Sequence, residues 1–238
     1  MRALLVSLSV LAVAACGSVI EMDGDGLSNG QPLSELELAE FDAVSLRGPD
    51  NVEISLGDAF DIRVEGDDEV VGRLEFEIRR GTLRIGRESG RGLTIGDDPA
   101  TVYITMPAIN GASVAGSGDM QIERAESERF EASIAGSGRM EIATLEAAEA
   151  EFDIAGSGDM SAAGTVADLD ISIAGSGDVE AADLRVERAD VSIAGSGNVE
   201  IHATEQVDGS LIGSGDVRVH GDAECRSNSI GSGDMRCG

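Results

Sequence analysis

Residues 113–122 read SVAGSGDMQI, residues 133–142 SIAGSGRMEI and residues 153–162 DIAGSGDMSA, and four further copies follow. The Gly-Ser-Gly triplets begin at Gly116, Gly136, Gly156, Gly175, Gly195, Gly213 and Gly231, with steps of 20, 20, 19, 20, 18 and 18 residues. A period of this length marks one supersecondary unit repeated by stacking. Aligned on the first glycine, the residue two before it is Val114, Ile134, Ile154, Ile173, Ile193, Leu211 or Ser229. Four after it stand Met120, Met140, Met160, Val179, Val199, Val217 and Met235; six after it, Ile122, Ile142, Ala162, Ala181, Ile201, Val219 and Cys237. Apolar residues at even offsets with polar ones between describe a strand on each side of a corner, one face inward. A further apolar set, Leu145, Val166, Leu184 and Val186, completes each coil. The expected fold is all-β: a parallel β-solenoid (β-helix) with rungs of 18–20 residues, ~4.8 Å apart, forming a rod on the order of 30 Å long. Glycine tolerates the backbone angles of a sharp corner, and the serines between the glycines are expected to stack as a polar ladder. Residues 144–151 (TLEAAEAE) would form a helix in isolation, but the register of neighbouring rungs makes them strand.

Composition agrees with a thin, repetitive core: the chain has 5 Phe, 1 Tyr and no Trp in 238 residues. The net charge is -28, with 45 acids against 17 bases, and every base is Arg. Such a field repels phosphate backbones and excludes nucleic acid as an expected partner. It suits basic surfaces or divalent cations.

Residues 1–15 read as an export signal, with Arg2 ahead of an apolar run from Leu4 to Val13 that is too short to span a membrane. The run ends in Val13-Ala14-Ala15-Cys16, which resembles the bacterial lipobox and makes Cys16 the expected lipidation site; the alternative is ordinary cleavage after Ala15. Gly17 and Ser18, with no Asp after the Cys, resemble proteins sorted to the outer membrane. The expected location is therefore an outer-membrane lipoprotein facing the periplasm or the cell surface, held to the membrane by its lipid. Export also puts Cys225 and Cys237 in an oxidising compartment, where the pair is expected to form a disulfide worth roughly 3 kcal/mol.

Residues 16–35 read as a flexible tether, and Met22 to Pro32 is rich in Gly, Asp, Ser and Asn. A single domain is expected over 36–238. Its 36–110 part holds irregular strands that cap the stack, and its 111–238 part holds the repeats. Alternation in Val52–Leu56 and Phe60–Val64 marks half-buried strands. Asp58 and Arg80-Gly81 mark turns, and Gly90–Asp98 a surface loop. The cap and the Cys225–Cys237 loop are expected to close the two ends against edge-to-edge growth.

From about Leu36 to Gly238 the chain resembles the auto-transporter adhesin head GIN domain family. The resemblance rests on FDAVSLRGPDNVEISLGDAFDIRVEGDD (residues 41–68), GTLRIG (81–86), VYITMP (102–107) and the recurring GSGD[MV] units. It implies a β-helical solenoid on an exported, often lipid-anchored protein and brings no catalytic residues. No C-terminal barrel follows Gly238, so self-transport is not expected.

The residue after each corner forms a column: Asp119, Arg139, Asp159, Asp178, Asn198, Asp216 and Asp234. Stacked carboxylates could bind Ca²⁺, so Asp159, Asp178, Asp216 and Asp234 are candidate metal ligands. Solvated turn acids are the alternative, since calcium-binding rolls present a liganding turn about every nine residues and Arg139 interrupts the column. His202 and His220 fall seven residues past their corners and are expected on adjacent rungs, where they could share a metal. A polysaccharide-cleaving solenoid would need a carboxylate pair and usually aromatic platforms, which this composition barely supplies. Ala-Gly-Ser-Gly also lacks the glycine two residues before Ser that a nucleophile elbow uses. No cofactor is expected. The function read from the sequence is a non-enzymatic, adhesin-like or structural module with an envelope or surface partner; the alternatives are an envelope polysaccharide-acting enzyme or a cation-binding repeat. Glu141, Glu180, Glu200, Arg218 and Arg236, each five residues past a corner, are the expected contact column.

Overall fold

In this computed structural model, residues 27, 29–88 and 98–238 are described, and sixteen strands among them form one sheet wound into a parallel β-solenoid of about six turns. The first strands are short: β1 (Ala43–Gly48), β2 (Asn51–Leu56), β3 (Asp61–Glu65), β4 (Leu74–Arg79), β5 (Thr82–Arg87), β6 (Thr101–Met106), β7 (Gly111–Gly116) and β8 (Asp119–Ile122). Then come long coils: β9 (Ala125–Gly136), β10 (Arg139–Gly156), β11 (Asp159–Gly175), β12 (Val179–Gly195) and β13 (Val199–Gly213). The last rung is β14 (Val217–His220), β15 (Glu224–Gly231) and β16 (Met235–Cys237). Residues 144–151 lie inside β10, so tertiary register overrides their local helix propensity.

The predicted columns are the observed register. Val114 pairs with Ile134, Ile134 with Ile154, Ile154 with Ile173, Ile173 with Ile193 and Ile193 with Leu211, and all six are buried. The third apolar set is also inside, with Leu145, Val166, Leu184 and Val186 buried. At two positions a large side chain faces a small one on the neighbouring rung. Phe130 lies beside Ala150 and Phe152 beside Ala132, so each ring fills the space left by an alanine one rung away.

Glycine is required at the corner for two separate reasons. Gly136 has φ +130°, a conformation that strains any side chain, and a Cβ there would stand 2.3 Å from the carbonyl oxygen of Gly116 on the previous rung. Gly138 is excluded from change by proximity alone, since its Cβ would lie 2.3 Å from the oxygen of Gly118. The close approach serves the ladder: Ser137 N donates to Gly116 O at 2.8 Å, and Ser157 N to Gly136 O at 2.7 Å. In the serine column, the hydroxyls of Ser214 and Ser232 also bond at 3.0 Å.

The N-terminal half is more regular than its sequence. Gly48 pairs with Gly116 and has φ +121°, so Arg47-Gly48-Pro49-Asp50 is a further corner in the same column. The rung made of β1 and β2 lies between β7–β8 on one side and β5–β6 on the other. The capping role expected of 36–110 falls to its outermost strands, β3 and β4, which pair antiparallel with β6 and β5. Strand β4 turns into β5 through Arg80 (φ 53°) and Gly81 (φ 79°), the two positive φ values of a two-residue hairpin. Outward-facing Asp61, Arg63 and Glu65 make the β3 edge a poor template for another strand. Gln31 exchanges backbone hydrogen bonds with Phe76 of β4, so the end of the segment read as a tether adjoins the cap.

Beneath the first corner, the fully buried Asp50 carboxylate binds Arg87 through two hydrogen bonds (2.7 and 2.6 Å) and accepts from Ala100 N at 2.9 Å. This pair joins the β1–β2 corner to the rung above it. At the other end Cys225 and Cys237 form a disulfide, and the inward positions of β15 become the exposed Ser227 and Ser229. Residues 1–15 and Cys16 lie outside the described residues, as does most of the loop read at Gly90–Asp98. Among the described residues, no helix is long and apolar enough to cross a membrane.

Candidate functional site

The side of the rod that follows each corner presents a long ordered array of outward side chains. Parallel pairing aligns Gln121, Glu141, Ser161, Glu180, Glu200, Arg218 and Arg236 in one column. All five residues expected there are present. The column continues past the repeats: Gln121 pairs with Glu53, Glu53 with Tyr103, and Tyr103 with Arg63 of the capping strand. Ten side chains thus run over nine rung spacings, about 43 Å at ~4.8 Å each. Acids occupy the middle, and Arg218 with Arg236 reverse the sign at one end.

At the capped end this side sinks into an open groove of about 310 Å³. Tyr103 lies within it, flanked by Glu53, Gln121, Glu123 and Glu141. The Arg63 guanidinium stands 5.7 Å from the centre of the Tyr103 ring, within cation–π range. Loss of hydration, then the Glu53 and Glu65 carboxylates, raise the Tyr103 phenol above its usual pKa, while Arg63 opposes them.

The acids after the corners hydrogen-bond along the rod. Asp178 N donates to Asp159 Oδ1 (3.3 Å), Asn198 N to Asp178 Oδ1 (2.7 Å), Asp216 N to Asn198 Oδ1 (3.2 Å) and Asp234 N to Asp216 Oδ1 (3.0 Å). Each side-chain oxygen therefore meets a backbone amide that the turn leaves without a ladder partner, which accounts for Asp or Asn at this offset. Arg139 forms an ion pair with Asp159 at 3.8 Å instead. His202 and His220 pair in register on adjacent rungs, and His220 Nε2 lies 2.6 Å from Glu200 Oε1. Among the described residues no three His, Cys, Asp or Glu side chains are grouped to hold a metal.

The side preceding each corner is a second, more acidic array. Glu131, Glu151, Asp170, Asp190 and Asp208 are aligned in register, with Arg226 at the end. Two columns nearer the corner, Asp153 stands between Ser133 and Ser172. Burial, followed by the Glu151, Asp170 and Glu131 charges, raises the Asp153 carboxyl to about 6. Asp170 is raised by burial and then by Asp190 and Glu151, against Arg129. Arg129 and Arg188 relieve part of this field: Arg129 reaches Glu131, Glu149 and Glu151, and Arg188 holds Asp168 and Glu205.

Residues 40–223 match the family described as "Putative auto-transporter adhesin, head GIN domain". The chain belongs to that family. Solved structures share the head GIN fold at low identity. A "putative adhesin" from Bacteroides fragilis is 23% identical, with a TM-score of 0.80, over 85% of this chain and 94% of that one. A "putative lipid binding protein" from Parabacteroides distasonis is 24% identical with a TM-score of 0.67, and a "putative adhesin" from the same species 20% identical with 0.67; each covers 85% of this chain and 94% of its own. No curated protein matches the chain. Within the head GIN domain, sequence reasoning missed the Tyr103 groove, the Asp50–Arg87 pair and the acidic array. Counting five residues past Gly48 would have reached Glu53, and with it the groove.

Proposed function

We propose that the head GIN domain of this chain is a non-enzymatic, adhesin-like interaction module, held on the outer membrane by a lipid on Cys16 and engaging an envelope or surface partner. The observation behind the reading is the unbroken column from Arg63 to Arg236, ten outward side chains in fixed register on a rigid sheet. A parallel stack holds such groups at constant spacing with little loss of entropy on binding. Contact is spread over several rungs rather than enclosed in a cleft. The family assignment and the adhesin-like neighbours agree with this role. The lipobox-like Val13-Ala14-Ala15-Cys16 supports the anchor.

The test is capture of partners from intact envelopes by the full-length Cys16→Ser chain, compared with the same chain bearing Glu141→Gln, Glu180→Gln and Glu200→Gln. Loss of the captured species in the column variant is the expected result. Equal capture by both would remove the column from the reading. The anchor is tested separately, by whether Cys16→Ser moves the protein from the membrane to the soluble fraction; continued partition with membranes would refute acylation.

A further inference from the structure

The groove at the capped end combines features that the rest of the rod lacks. It holds the chain's only Tyr, and it lies where the long column bends onto the antiparallel cap. Its wall contains three carboxylates, Glu53, Glu123 and Glu141, against one cation, Arg63. That Arg stands over the aromatic ring, so the ring face already accepts a guanidinium. We propose that this groove receives a Lys- or Arg-bearing segment of a protein partner, the incoming cation taking the Tyr103 ring and the flanking carboxylates. The proposal rests on the domain being an interaction module and names the chemistry of what it binds.

Charge selects this occupant. An aromatic face ringed by carboxylates attracts a cation through both its quadrupole and the surrounding field. An acidic ligand would meet the groove's three carboxylates and a chain of net charge -28. Past the groove, Glu180 and Glu200 extend the acidic track, and Arg218 and Arg236 end it. A basic segment would therefore lie along the column with its first cation at Tyr103 and be repelled beyond Glu200.

With 1 Tyr and no Trp, tyrosine emission reports on this groove alone. Acetylated tetralysine amide, which has no fluorophore, would be titrated into the full chain, with maltotriose as the neutral comparison. Saturable change in emission with the peptide, weakened by salt, and none with maltotriose is the expected result. Glu53→Gln with Glu141→Gln should raise the half-saturation concentration at least fivefold. Glu151→Gln with Asp170→Asn, the same charge change on the other array, should alter it less than twofold. Arg63→Ala, an exposed substitution on the edge strand, should tighten binding at least twofold by freeing the ring and removing a like charge.

Equal weakening by the two double variants would mean unspecific attraction to an acidic rod, and would overturn the site. So would an emission change with maltotriose matching that with the peptide, or weaker binding by Arg63→Ala. An envelope partner captured equally well by the Glu53→Gln, Glu141→Gln chain would leave the module reading in place and overturn the groove.

Discussion

Replacing Asp153 with Ser should stabilise the rod at neutral pH and do nothing in acid. Asp153 stands half-buried in a column whose flanking members are Ser133 and Ser172, so the substitution introduces the residue that its neighbours use. Burial, then the charges of Glu151, Asp170 and Glu131, lift its carboxyl from 3.8 in the open chain to about 6 in the fold. The folded state therefore holds the proton more tightly than the unfolded one. Stability from this group is fully present below pH 4 and is lost as the pH rises through about 6. The full displacement corresponds to roughly 3 kcal/mol at pH 7 and above; solvent screening of a half-buried carboxylate reduces it to about 1–2 kcal/mol. Urea unfolding followed by far-UV circular dichroism, at pH 7.5 and pH 3.5, would measure it. Asp153→Ser should exceed the wild type by that margin at pH 7.5, with the gap closing at pH 3.5. A variant no more stable than the wild type at pH 7.5, or a gap that persists unchanged in acid, would refute the reasoning.

Two further substitutions probe the frame. Asp50→Asn removes the charge paired with the buried Arg87 and should destabilise the protein by about 3–5 kcal/mol, read from its thermal midpoint. Gly136→Ala must accept a left-handed φ and a Cβ 2.3 Å from the Gly116 oxygen. It should cost at least about 2 kcal/mol in urea unfolding, whereas the exposed Ser137→Ala should change stability by less than about 0.5 kcal/mol.

The repeat half could be read almost residue by residue, because periodicity states which side chains share a column and alternation states which way they face. Ile154, for example, is buried between Ile134 and Ile173 as its offset requires. The first corner was hidden because RGPD does not look like GSGD. Where a repeat has its second glycine, residue 50 is Asp, and the chain above it provides Arg87 and the Ala100 amide rather than a tightly stacked carbonyl. The second glycine of a corner is obligatory only where another corner lies directly above it, whereas the first is required by its positive φ even at Gly48 (+121°). The groove escaped for a related reason: Tyr103 and Arg63 reach their column through strands 50 and 10 residues beyond Glu53, pairings that no local pattern encodes. The Asp159 to Asp234 column was visible, but its role was not. Spacing shows that carboxylates align; only coordinates show each one accepting the amide of the next rung.

The placement of β1 and β2 has a kinetic consequence. They come first among the strands yet third in the stack, with residues 82–106 on one side and 111–122 on the other. A chain emerging from its N-terminus therefore exposes this rung before either neighbour exists, and must close long loops to give it partners. From β9 onward each new coil finds a completed template immediately behind it. The topology predicts slow nucleation within residues 43–122, where strand partners lie far apart in sequence, and fast, local elongation beyond them.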